Sequence, residues 1–155
     1  MITAALALLS DIEAAIVGQA CQPDVSRVTA GEPAAPNPGC TDIAVWVGQV
    51  EDSAAFDPGC QVRSELTLNY RIGWCYTERP EGPSEADELE AATCVYDLAE
   101  AVWCYLVELQ SQGIIAGLDS CRDSRLGPLT VNPRSGGWVS ATGSVTIAYD
   151  CHLSS

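Results

Sequence analysis

Lysine is absent from the 155 residues, and histidine, phenylalanine and methionine occur once each. Without lysine there is no Gly-x-x-x-x-Gly-Lys loop, so the usual phosphate cradle is excluded. The one histidine, His152, stands at the penultimate turn, a poor place for a positioned catalytic base, and this disfavours Ser-His-Asp chemistry. Basic residues are scarce altogether: 21 acids face seven arginines, for a net charge of −14. A protein that grips phosphates or reads sequence needs the opposite balance. A surface past which DNA slides without sticking does not. No stretch approaches the ~20 apolar residues needed to span a membrane.

Cysteine is plentiful, with Cys21, Cys40, Cys60, Cys75, Cys94, Cys104, Cys121 and Cys151, but no two stand at Cys-x-x-Cys spacing. A zinc knuckle draws ligand pairs from tight turns, and a redox dithiol needs the same spacing, so neither a metal nor a cofactor is expected. Cys94 and Cys104 fall inside a helix and read as small buried hydrophobes. For the others, structural disulfides formed after release from a reducing cytosol are the expectation. Cys40 and Cys75 form a possible pair, because the start of one strand faces the end of its antiparallel neighbour.

Two runs carry strict alternation. In 61–76, Val62, Leu66, Leu68, Tyr70, Ile72, Trp74 and Tyr76 share one face, opposite Gln61, Arg63, Glu65, Thr67, Asn69 and Arg71. In 139–151, Val139, Ala141, Val145, Ile147 and Tyr149 oppose Ser140, Thr142, Ser144, Thr146 and Asp150. Period two means strands buried on one side. At roughly 3.3 Å per residue the first reaches about 50 Å, more than a small domain covers alone, which hints at an assembly. Ile43, Val45 and Val47, with Ala44 and Trp46 between them, make a strand apolar on both faces and hence central.

Between the runs lies the clearest helix. Ser84 is the cap candidate, and Glu85, Asp87, Glu88 and Glu90 load the first turns where the helix dipole favours negative charge; capping explains these carboxylates better than acid–base chemistry does. Ala92, Tyr96, Ala99, Trp103 and Leu106 form a seam widened by Leu89, Val95, Val102 and Leu109, and Gly113 ends it. Near the N-terminus, Ile2, Leu6, Leu9, Ile12 and Ile16 recur at helical spacing, with Asp11 and Glu13 on the other side. An amphipathic helix fits Met1 to Val17 better than a signal peptide, since no basic residue precedes the apolar stretch.

The order is therefore helix, strand, strand, long helix, short strand, long strand. It describes an α+β domain with a mostly antiparallel sheet of about four strands packed against two helices. A single domain spans 1–155: helix over 1–19, irregular connection over 22–40, strand pair over 41–76, long helix over 84–112, and a hairpin with a long terminal strand over 113–155. The short strand falls near 116–122, or another near 128–131. Among the charged residues, Arg122, Asp123, Arg125 and Arg134 are candidates to meet an acidic patch of an adjacent subunit, Glu51, Asp52 or Asp57. A strongly charged homo-oligomer must match its signs somewhere.

This layout resembles the tail terminator proteins of long-tailed bacteriophages, the lambda-like family. The resemblance rests on an initial helix, a strand like Ile43-Ala-Val-Trp-Val47, a strand like Ser64-Glu-Leu-Thr-Leu-Asn-Tyr-Arg-Ile72, an acid-rich helix from Ser84, an Arg/Asp-containing hairpin, and a terminal strand through Val145-Thr-Ile-Ala-Tyr-Asp150. It covers nearly all of the chain through order and pattern, and the eight cysteines depart from it. The resemblance implies a non-enzymatic virion protein. In that role a hexameric ring ends the tail tube at its head-proximal end, contacts the tube protein and the head-completion or neck protein, and lets DNA pass through an acidic channel. Another neck or tail-completion protein, and a secreted disulfide-stabilised binding domain, are the alternatives; an enzyme dependent on His152 ranks third.

Overall fold

In the computed structural model of the chain, residues 2–34, 41–52, 61–75, 85–115, 121–132 and 138–152 are described. Helix α1 (Ile2–Ile16) is followed by strands β1 (Val25–Thr29), β2 (Thr41–Asp52) and β3 (Gln61–Cys75). Helix α2 (Glu85–Gln112) then leads to β4 (Cys121–Leu126), β5 (Thr130–Asn132) and β6 (Trp138–His152). The strands form one six-stranded sheet in the order β1-β2-β3-β6-β4, with β5 also on β6. The architecture is α+β, two helices on one face of a mixed sheet.

Two differences from the expected sheet follow from pairing rather than local pattern. Strand β1 lies within what the sequence presents as irregular connection, and it runs parallel to β2, with Val25 opposite Asp42 and Thr29 opposite Trp46. Five residues with few apolar positions carry little period-two signal; β1 exists because β2, apolar on both faces, offers it an edge. The single short strand becomes two. Strands β4 and β5 line the same edge of β6 in succession, and between them Gly127 N–H donates to Ser144 O at 2.8 Å.

The two long strands pair in register over their whole length, from Gln61 opposite His152 to Cys75 opposite Trp138. Leu66, Leu68, Tyr70 and Ile72 of β3 and Val139, Ala141, Val145 and Ile147 of β6 are buried on the inner face, as alternation requires. Gly143 lies opposite Tyr70, and a Cβ there would meet the phenol ring. The missing side chain makes room for the ring, which covers the glycine in return.

Over this face lie the helices, α2 against β3, β6 and β4, and α1 against α2, β1 and β2. With 28 residues, α2 is about 42 Å long and spans the sheet. It ends where Gly113 takes φ +70°, its N–H donating to Gln110 O at 3.1 Å and that of Ile114 to Leu109 O at 3.2 Å. That pair of bonds is a Schellman cap, which needs a glycine-compatible left-handed residue.

Both helices are rotated from their expected faces. On α2 the buried residues are Ala91, Cys94, Val95, Leu98, Ala99, Val102, Leu106 and Leu109, whereas Leu89 and Tyr96 are exposed. The stretch from Val102 to Val107 is nearly all apolar, so several seams are possible and contact with the sheet and α1 selects among them. On α1, Leu9, Ile12 and Ile16 are buried together with Ala4, Ala5 and Leu8, while Ile2 and Leu6 face outward. No described helix is long and apolar enough to cross a membrane.

The cysteines of α2 also differ from expectation. Cys94 is buried, but as half of a disulfide with Cys21, 73 residues away in sequence, with Cα atoms 5.7 Å apart. This bridge ties the end of α1 to α2. Cys104 is an exposed thiol, since at 100° per residue it points away from the Val102–Leu106 side. Cys75 is buried at the end of β3, and Cys40 lies outside the described residues.

Candidate functional site

The outer face of the sheet, away from the helices, divides into two parts. Toward the Cys75 end, residues 30–34 leave β1 and pass over it, held by Arg71. Its Nη1 donates to Pro33 O and its Nη2 to Ala34 O, both at 2.7 Å, and its guanidinium stacks on Trp138 with 4.8 Å to the ring centroid. Asp42 sits beside it, 3.8 Å from Nη2, an ion pair too long for a hydrogen bond. Arg27 of β1 reaches the other Asp42 oxygen at 3.1 Å. Side chains of Arg71 and Asp42 are 2% and 4% exposed. Burial lowers the Arg71 pKa from its usual value, while the carboxylates of Asp42 and Glu32 act the other way.

Toward the Gln61 end the described outer-face residues of β3 and β6 from Glu65 to Asn69 and from Ser144 to Thr146 are half-buried, with none of the described loops passing over them. Thr67 and Thr146 hydroxyls meet at 3.1 Å across β3 and β6, and Asn69 and Ser144 are half-buried beside them. Arg125 of β4 reaches Glu65 of β3 at 3.4 Å, an exposed pair worth little by itself. Glu51 lies opposite Glu65 in the β2–β3 ladder, and the row continues through Ala148 to Asp123 of β4.

The charged residues singled out in the sequence thus fall on one end of the sheet but on separate strands. Glu51 and Asp52 close β2, while Arg122, Asp123 and Arg125 lie on β4, with β3 and β6 between. Asp57 and Arg134 lie outside the described residues. Reasoning from sequence missed Glu65, the acid that Arg125 meets, and the whole Arg71–Asp42–Arg27 cluster. A signal existed for the latter: an arginine set between Tyr70 and Ile72 in an otherwise apolar stretch.

Among the described residues lie two concavities, one beside the helices and one on this face. A cleft of about 710 Å³ beside the disulfide is bordered by Trp74, Leu89, Thr93 and Asp97. A smaller one of about 300 Å³ on the outer face is bordered by Glu32, Trp46, Asn69, Thr130, Thr142 and Ser144. Neither brings together a nucleophile, a base and an orienting group. Among the described residues, no three His, Cys, Asp or Glu side chains converge to hold a metal ion.

No protein-family model matches the chain, and no curated protein matches it significantly. Among solved structures, it is similar to the sheath/tube terminator of an extracellular contractile injection system, PVC, in the extended state. The TM-score is 0.42 at 12% identity, over 96% of this chain and 57% of that one. The chain therefore spans little more than half the length of that neighbour.

Proposed function

We propose that this protein is a structural tail terminator, a ring-forming subunit at the head-proximal end of a phage tail tube that ends tube polymerisation and joins the tail to head-completion proteins. The observation carrying this reading is the length of the two central strands. Strands β3 and β6 run 15 residues each and pair from Gln61 opposite His152 to Cys75 opposite Trp138, well beyond the usual strand of about five or six residues. Paired backbone longer than a small domain needs for itself is best accounted for by contact with a neighbour. The element order supports the same reading, with the acid-rich α2 followed by the Arg/Asp-bearing β4, β5 and the long β6. In this role the subunit is a hexamer, its partners are the tube protein and a neck protein, and its acidity lets DNA pass without sticking.

The Cys21–Cys94 disulfide favours one rival, a secreted disulfide-stabilised binding domain. In the virion reading the bridge closes once the particle leaves the reducing cytosol. Mass photometry of the purified chain separates the two, with a discrete ring near six subunits expected and a lone chain expected of the rival. A strict monomer that also ignores the ends of tail tubes in electron micrographs would sink the terminator reading.

A further inference from the structure

Both helices carry charge of one sign. The 28 residues of α2 include seven acids and no base, and the charges of α1 are Asp11 and Glu13 alone. Acids on a solvated helix face need no further explanation. The row of apolar side chains that runs among them does. Leu89 is 69% exposed, and Tyr96 and Val107 are 42% exposed each. At about 100° per residue the three fall within roughly 20° of one line along the helix, although Leu89 and Val107 are about five turns apart. Scattered singly, such residues would mean nothing; in line they mark a contact.

The row is part of a second seam. Leu89, Thr93, Tyr96, Glu100, Trp103 and Val107 advance by four, three, four, three and four, on the side of α2 turned from the sheet. Four of the six are apolar, with Trp103 already half-buried. Along one border stand Glu90, Asp97 and Glu108, all exposed, and the free Cys104 thiol lies between border and seam. The ion pairs of the described residues use Asp42 and Glu65, so among the described residues no base engages these acids.

We propose that the outer seam of α2 receives a basic amphipathic helix of another protein, its apolar residues packing on Leu89, Tyr96, Trp103 and Val107 and its cations meeting Glu90, Asp97, Glu100 and Glu108. The inference stands apart from the ring reading. Spacing argues for a helix as the occupant. A seam that repeats every three and four residues over roughly 27 Å is what a second helix packs into, and a single small molecule would not span it.

Charge argues for the sign of that helix. The acids repel nucleic acid and anionic lipid alike. A second copy of α2 would bring seven more acids and no base, and like charges brought together across an interface disfavour it. Glu100, inside the seam, is covered by any occupant, and a covered carboxylate needs a cation. That requirement also fixes the partner's register.

For the test, the full chain with its disulfide intact is mixed with either of two synthetic three-heptad helices that share leucine at a and d and carry arginine or glutamate at e and g. Anisotropy of the labelled peptide reads binding, and the rate of Cys104 alkylation by iodoacetamide, located by mass mapping, reads its place. The arginine helix should bind. At about ten times its Kd it should slow Cys104 alkylation about tenfold, by occupancy. The glutamate helix should do neither. Tyr96→Ser should weaken the arginine helix about tenfold, the loss expected of an aromatic anchor, with helicity by circular dichroism unchanged. Failure of the arginine helix to bind at low salt overturns the inference outright. Binding that leaves Cys104 as reactive as before, or that survives Tyr96→Ser undiminished, would show general attraction to an acidic chain and overturn the seam. Self-association of the parent that is lost in Tyr96→Ser would place a second copy on this face and overturn it as well.

Discussion

The two faces of one sheet are held by different physics. The inner face is sealed by area: apolar residues of β3 and β6 lie under two helices, and the contribution grows with surface removed from water. Among the described residues the outer face is sealed over half its length, by residues 30–34, and the seal is directional, an arginine donating to two carbonyls beside a buried carboxylate. Over the other half no described loop passes, and its described residues are half-buried. Many small contacts tolerate the loss of one; a clasp made by one side chain does not.

The largest effect should come from the clasp. Arg71→Met retains an apolar stem but leaves Pro33 O and Ala34 O without their donor and Asp42 with Arg27 as its remaining cation, at an expected cost of about 3–5 kcal/mol. Arg125→Met, on the open half, should cost under about 1 kcal/mol. Urea denaturation of both variants measures the contrast. Equal costs would show that the buried cluster is no clasp.

Next in size is the bridge behind the inner face. Replacing both Cys21 and Cys94 with serine removes a cross-link between residues 73 apart and should cost about 2–4 kcal/mol. Reducing agent should lower the parent's unfolding free energy by a similar amount and leave the double variant's unchanged. A parent insensitive to reduction would mean that area alone holds the helix layer.

Tyr70 tests the inner face by pH. Burial raises its phenol from 10.0 to about 12. Below pH 10 both folded and unfolded chains keep the proton and its contribution is intact. Between pH 10 and 12 the unfolded chain loses the proton first, so stability falls as pH rises, by about 1.4 kcal/mol per unit. The chain has no lysine to titrate in this range. Tyr70→Phe should flatten the decline between those two pH values, and an unchanged slope would show that the ring is wetted in the folded chain.

The contrast between faces also decided what could be read from sequence. Alternation at Leu66, Thr67, Leu68, Asn69, Tyr70, Arg71 and Ile72 is visible because the helices cover one side only, so β3, β6 and the α+β class were legible. The phase of α2 was not, because Val102, Trp103, Tyr105, Leu106 and Val107 offer several apolar seams and the choice is tertiary. Strand β1 and the Cys21–Cys94 bridge depend on partners far along the chain. Candidate interface residues could be named from charge, but only topology assigns Glu51 and Asp52 to one strand and Arg122, Asp123 and Arg125 to another, with two strands between.

The smallest effect concerns the open half itself. Thr67 and Thr146 share a hydroxyl contact of 3.1 Å and are both half-buried, so water can replace either partner. Thr67→Val keeps the β-branched shape and removes one hydroxyl, and the surviving Thr146 hydroxyl turns to solvent. Cross-strand pairs of this kind are worth roughly 0.2–1 kcal/mol, and the loss should fall in that range in denaturation of the dispersed chain. A cost above about 2 kcal/mol would place the pair in a site that water cannot reach, the penalty for an unsatisfied buried group. In that case the outer face would be sealed along its whole length, and its division into a clasped half and an open half would fail.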